Sequence, residues 1–240
     1  KLPALFLHVD EPLSGIRRVD FDALFLPPQD DAPPLRLRGG QATRGGIQHR
    51  GNSSFWTGRK KPLSLRFDAP HHLLGPTDSR HLYLRNGCVD LTKMRDKLVF
   101  DLFRSFASPS RPRFAPQIDW TEVFVNGAFA GIYECCSRVD GFLLGFPAPP
   151  SPDSAAALYA ISAPPSFFAD ASPHMCVRVH PRSGVDRPLA PLQDFLDFTS
   201  QASPDAFARD IARRLDLDNA IDFFLLLNFS GNLDGLLRIR

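Results

Sequence analysis

An excess of one charge is missing from this sequence. Its 240 residues hold 28 Lys and Arg against 26 Asp and Glu, a net charge of +2. Bulk electrostatics therefore makes no case for nucleic acid or an anionic membrane surface as partner. Long apolar runs are missing as well, since no stretch approaches the roughly 20 residues of a membrane-spanning helix. Nor is there a charged start followed by an apolar run and a small-residue cleavage site. Cysteine is scarce. Cys88, Cys135, Cys136 and Cys176 are the four; they form no CxxC pair, which removes the usual zinc spacing. They are also too few for a disulfide framework in a chain of this size. Cys135 and Cys136 are neighbours in a strand-like segment, so their side chains point to opposite faces, and free, buried thiols are expected.

What is present is a hydrophobic content of 43%, enough for one large domain or a two-lobed one. Residues 1–70 carry strand signals: apolar runs at Ala4–Val9 and Ala23–Leu26, alternation at Leu35–Arg38, and clean alternation at Lys61–Phe67. In that last run Leu63, Leu65 and Phe67 share a face, with Lys61 at its end. A helix is expected over 91–106, with Leu91, Met94, Leu98, Leu102 and Phe106 as its apolar stripe and Asp90 as N-cap. That stripe should pack on the sheet, leaving Arg95 and Lys97 off it and Arg95 able to reach a cleft. Thr121–Val125 and Phe129–Tyr133 read as a hairpin around Asn126-Gly127. Residues 143–192, rich in Pro, Ala and Ser, read as a connector. Helices are expected near 192–199, 204–215 and 218–229, the last carrying the strongly apolar, buried run Ile221–Phe229. The order is that of an α+β protein with a sheet-rich first lobe (1–142) and a helical second lobe (143–240). The chain opens on Lys1 and stops in a strand-like segment at Arg240, so it is expected to be a piece of a longer protein.

Chemistry concentrates at two places. In Ser230-Gly231-Asn232-Leu233-Asp234-Gly235, an Asn and an Asp two apart between glycines suit oxygen ligation of a hard cation such as Mg²⁺. Asp234 is also placed to orient a substrate hydroxyl. Upstream, Arg50-Gly51-Asn52-Ser53-Ser54 offers backbone N–H groups and hydroxyls in a turn, and Lys60-Lys61 supplies cations at the head of a strand. Together they describe a cleft for a polyphosphate and a divalent metal, in which positioning and charge neutralisation do most of what phosphoryl transfer requires. By residue type alone, Lys60-Lys61 also fits a solvated strand end, and Asn232–Gly235 a helix-terminating turn. Arg50 equally fits a surface cation, and Arg95 and Lys97 an exposed helix face.

Five segments in order select between these readings: Arg50–Ser54 with Lys60-Lys61, Met94-Arg95-Asp96-Lys97-Leu98, Val125–Tyr133, Asp218–Phe224 and Gly231–Gly235. Over roughly residues 45–240 the chain resembles the CotH kinase family, named for spore coat protein H. The resemblance implies an atypical, two-lobed protein-kinase-like fold. It also implies transfer of the γ-phosphoryl of ATP, with Mg²⁺, to Ser or Thr of coat or secreted surface proteins, and a location outside the cytoplasm. It makes Asp234 the catalytic base or a metal ligand, Asn232 a metal ligand, and Arg50, Asn52, Ser53, Lys60, Lys61 and Arg95 the nucleotide-binding set. The family's W-D-x-D element would follow beyond Arg240. Two positions depart from the pattern. Ser137 stands where the family has a Glu, with Glu134 three residues earlier on the opposite strand face, and Asp96 replaces the Asn of M-R-N-K-L. A pseudokinase serving as a surface or adhesion module is therefore the alternative reading, and nucleotide transfer in place of phosphoryl transfer a third.

Overall fold

The computed structural model describes residues 2–15, 17–28, 35–38, 46–51, 53–71, 73–74, 79–88, 90, 92–146, 157–161, 177–180 and 189–231. The chain divides into two compact units. One joins Lys1–Asp101 to Ala115–Val139; the other joins Leu102–Phe114 to Asp140–Arg240. The composition is mixed α and β.

The first unit is built on eight strands: β1 (Ala4–His8), β2 (Asp22–Leu26), β3 (Leu35–Arg38), β4 (Gly46–His49), β5 (Leu63–His71), β6 (Ser79–Arg85), β7 (Ile118–Val125) and β8 (Ala128–Ser137). They form one sheet in the order β3-β2-β1-β7-β8-β6-β5-β4. All pairs are antiparallel except β1 with β7. The sheet curls until Val19, just before β2, bridges Ile47 of β4 through two backbone bonds of 2.8 and 3.0 Å. One face thereby closes on itself and holds the core: Leu5, Leu7, Phe21, Ile47, Leu63, Leu65, Phe67, Leu82, Leu84, Val123, Tyr133 and Cys135 are among its buried residues. The expected alternation of β5 is therefore present, and hydrophobic burial of its Leu63–Leu65–Phe67 face is what holds it in register. The hairpin turns at Asn126 (φ 48°) and Gly127 (φ 81°), the pair of positive φ angles that a two-residue turn of this kind requires. Asn126 also exchanges both its amide groups with the backbone of Val9, at 2.8 and 2.9 Å.

The sequence reading assigned no element to 79–85, where β6 lies. Ser79, His81, Tyr83 and Arg85 alternate with Leu82 and Leu84, so a central strand with one polar face looks like a loop by composition. A short helix, α1 (Ser53–Thr57), was also not anticipated.

Helix α2 (Arg95–Ser105) begins later than expected. Asp90 caps it, accepting backbone N–H bonds from Met94 and Arg95 at 3.1 and 3.0 Å. The expected stripe does not pack on the sheet. Met94 is 58% and Leu98 62% exposed, Phe106 is exposed too, and the buried residue is Phe103; Leu91 lies outside the described residues. The physical reason is that α2 meets the polar face of the sheet, not an apolar one. Lys97 donates to Ile118 O at 3.0 Å and lies over the Trp120 ring, so it points inward where an outward direction was expected.

In the second unit, β9 (Leu158–Ile161) and β10 (Val177–His180) form an antiparallel pair inside the segment read as connector. Then follow α3 (Ala190–Gln201), α4 (Pro204–Asp210) with a 3-10 turn at Ile211–Arg213, and α5 (Leu217–Ser230), close to the three helices expected. Asp216 caps α5, accepting from Asn219 N at 2.9 Å, and Gly231 ends it in the left-handed region at φ 62°. The run Ile221–Phe229 is not buried as expected. Leu226 and Leu227 are buried, whereas Phe223, Phe224, Leu225 and Phe229 are exposed. A helix apolar all round cannot bury every side against one neighbour.

Candidate functional site

Cross-strand partners share a face of a sheet. The register places Arg85 beside Glu134, Glu134 beside Trp120, and Tyr83 and Ile118 on either side of Cys136. These residues line the face opposite the core, the one that α2 covers. Ser137 lies opposite Leu82 on the core face, and its hydroxyl accepts the Gln117 N–H at 2.9 Å. The three-residue offset does put Glu134 and Ser137 on opposite faces.

The cationic motif is gathered at one end of this sheet. Gly51, at φ 90°, has no room for a Cβ, which would come within 2.3 Å of Ser54 Oγ. Arg50 donates its N–H to Pro62 O at 3.0 Å and lays its guanidinium 3.8 Å over the Tyr83 ring. Burial lowers its affinity for the proton. Lys61 is turned toward α1: its ammonium donates to Phe55 O at 2.7 Å and Gly58 O at 3.0 Å and lies over the Phe55 ring. Lys60 runs the other way. Its stem crosses Gly131, where a Cβ would meet Lys60 Cδ at 3.2 Å. Its ammonium then donates to Ile132 O at 2.5 Å over the Tyr133 ring. Tyr133 completes the arrangement by donating its hydroxyl to Lys61 O at 3.1 Å; burial pushes that phenol up to about 12. The Gly-x-Tyr motif and the Lys-Lys motif, distant in sequence, are thus one device. Arg95 is 78% exposed in its side chain and pairs only loosely with Asp90, at 3.6 Å. Ser53 lies in α1, while Asn52, Asn232 and Asp234 fall outside the described residues.

Arg85 and Asn86, which no motif contained, complete the site with Asp96 and Glu134. Asn86, buried at the end of β6, donates to Ser54 O and to Lys60 O, both at 2.9 Å, and so fixes the turn carrying the cations. Arg85 pairs with Asp96 of α2 and stands 3.8 Å from Glu134. Glu134 is 3% exposed, and its Oε2 accepts no hydrogen bond. Burial raises its proton affinity, with Arg85 opposing. Asn86 is a polar residue ending an alternating strand, a signal that could have been read only after β6 was recognised.

Cys135 and Cys136 are buried free thiols on opposite faces, as expected; burial pushes Cys136 up to about 11. Among the described residues no group of three or more His, Cys, Asp or Glu could hold a metal ion. None of the described helices is long and apolar enough to cross a membrane.

This arrangement defines a mixed α/β protein whose curled sheet holds its apolar core on one face and a buried carboxyl and a helix on the other, with cations gathered at one end. Residues 47–238 match the family of CotH kinase proteins, and the chain belongs to that family. Comparison with curated proteins finds no match.

Proposed function

We propose that this chain is an ATP- and Mg²⁺-dependent protein Ser/Thr kinase of the CotH type, acting on coat or secreted surface proteins outside the cytoplasm. The observation that carries the reading is the ion pair between Arg85, on a central strand, and Asp96, on the helix packed over the polar face of the sheet. Protein kinases place a strand cation and a helix carboxylate in that relation, and the cation serves the nucleotide phosphates. Arg50, Lys60 and Arg85 fit a polyanion: among the described residues neither Arg50 nor Lys60 has a carboxylate in ion-pair contact. Mg·ATP would supply the phosphoryl group and neutralise charge at the phosphates. Lys61 holds the α1 turn, Asn52 and Ser53 are further proposed nucleotide contacts, and Arg95 lies at the head of α2. Asn232 and Asp234 are the proposed metal ligands, with Asp234 orienting the substrate hydroxyl.

The test is an ATP titration with and without Mg²⁺. Binding is expected, and Arg85→Met should weaken it by about 1.5–3 kcal/mol, the range for a hydrogen bond to a charged group. Absence of ATP binding would overturn the nucleotide reading. A second reading, a pseudokinase acting as a surface-binding module, is favoured by Ser137, which brings no charge to the position of the family Glu and spends its hydroxyl within the sheet. ATP bound without transfer of radiolabelled phosphate would select it.

A further inference from the structure

Glu134 is a buried carboxyl to which neither the motifs nor the nucleotide reading gives a task. It lies on β8, between β7 and β6, with Arg85 of β6 as its cross-strand partner. A carboxyl so placed is costly unless it is paired and hydrogen-bonded. It is fixed from one side. A Cβ on Gly87 would lie 2.6 Å from Glu134 Oε1 and 2.4 Å from the Lys93 ammonium, which is itself tied to Asn86 O at 3.1 Å and Gly87 O at 3.0 Å. The other oxygen, Oε2, accepts no hydrogen bond, and Arg85 Nε stands 3.8 Å from it. That is ion-pair contact, but longer than the about 2.7–3.2 Å of a hydrogen bond. Among the described residues Arg85 is the only cation in such contact with Glu134. The guanidinium is thus held by two carboxylates at different atoms. Asp96 of α2 pairs with its Nη2, and Glu134 faces its Nε. The two are unequal, since the Asp96 side chain is 44% exposed and that of Glu134 4%. Water screens the helix carboxylate and not the strand one. An acceptor buried without its hydrogen bond, beside a donor less than 1 Å out of reach, calls for an explanation.

We propose that Glu134 is the positioning residue of Arg85: the strand carboxylate takes the Nε–H and so aims the guanidinium, leaving its Nη groups to serve Asp96 and the nucleotide phosphates together. The 3.8 Å contact closes to a hydrogen bond when phosphates engage the Nη groups, as contacts of this kind tighten in an occupied site. The proposal rests on the nucleotide reading and on Arg85 as its cation. It also fixes a sign. A carboxylate near bound phosphates repels them, so by charge alone its removal tightens binding. As the group that aims Arg85, its removal loosens it.

The experiment is calorimetric titration of the full chain with Mg·ATP, joined to NMR of the arginine Nε–H resonances. The Arg85 signal is identified by its loss in Arg85→Met. Glu134→Gln should bind Mg·ATP about 3- to 10-fold more weakly, the cost of ordering one long side chain. Its denaturant midpoint should stay at or above that of the parent, so that misfolding does not account for the loss. The double variant, Arg85→Met with Glu134→Gln, should bind as Arg85→Met does, because no guanidinium remains to be aimed. Mg·ATP should move the Arg85 Nε–H resonance downfield in the parent and much less in Glu134→Gln. Parent-like or tighter binding in Glu134→Gln, a further loss in the double variant, or an equal resonance shift with and without the carboxylate would overturn the proposal. Equal ATP affinity in the parent and Arg85→Met would remove Arg85 from the site and the proposal with it, leaving nucleotide binding to Arg50 and Lys60. Parent protein that binds no ATP would end both readings.

Discussion

Asp222→Ala should be among the most destabilising single changes in the second unit. Asp222 lies on α5 within the family's Asp-x-x-x-Asp-Phe-Phe element, and its Oδ2 accepts from both Arg113 Nε at 3.0 Å and Arg113 Nη2 at 2.7 Å. The Arg113 side chain is 1% exposed, whereas Asp222 is 32% exposed. The two partners are therefore unequal. Removing Asp222 leaves a guanidinium without its counter-ion, holding Pro112 O at 3.1 Å. Breaking a buried pair from one side costs about 3–5 kcal/mol. Because the carboxylate is a third exposed and screened, the lower end, about 3 kcal/mol, applies here. Arg113→Met should cost less, since Asp222 can hydrate and the methionine fills part of the space. The double variant should recover much of the Asp222→Ala loss, because no buried charge remains. Urea melts followed by far-UV circular dichroism suit the measurement, as most helical residues belong to this unit. A loss below about 1 kcal/mol for Asp222→Ala, or no recovery in the double variant, would refute the claim that the pair fixes α5 to the Arg111–Arg113 segment.

Two further outcomes follow from the first unit. Glu134→Gln should stabilise the protein at neutral pH. Burial raises the folded-state pKa of this carboxyl, so its ionisation costs stability once pH exceeds the unfolded value of about 4.3 and rises through the folded one. The advantage of the variant should therefore shrink as pH falls toward about 4; denaturant midpoints across pH 4–8 measure it, and a pH-independent difference would contradict the assignment. Gly46→Ala should cost roughly 2 kcal/mol or more, because Gly46 has φ 124° and a Cβ there would lie 2.1 Å from Val19 O, the carbonyl that closes the sheet. A denaturant melt within about 0.5 kcal/mol of the parent, the range of a neutral surface change, would show that the closure yields at little cost.

Several parts of this molecule were determined by local sequence. Alternation at Leu63, Leu65 and Phe67 identified β5, and Asn126-Gly127 identified the β7–β8 turn, because each acts over a few residues whose preferences agree with the fold. The order of five motifs likewise identified the family, which the match over residues 47–238 shows. What the tertiary structure alone decided is where each side chain goes once strands distant in sequence are paired. Adjacent lysines were sent in opposite directions, Lys61 to the α1 turn and Lys60 across Gly131. Met94 and Leu98 of the expected stripe were left exposed because the facing sheet surface is polar. Lys93, Asn86 and Glu134 became neighbours only because β6 ends beside β8. Periodicity reports one element at a time. It carries no information on which face of a sheet a helix will cover, or on which charge will be buried, because those follow from contacts between elements separated by tens of residues.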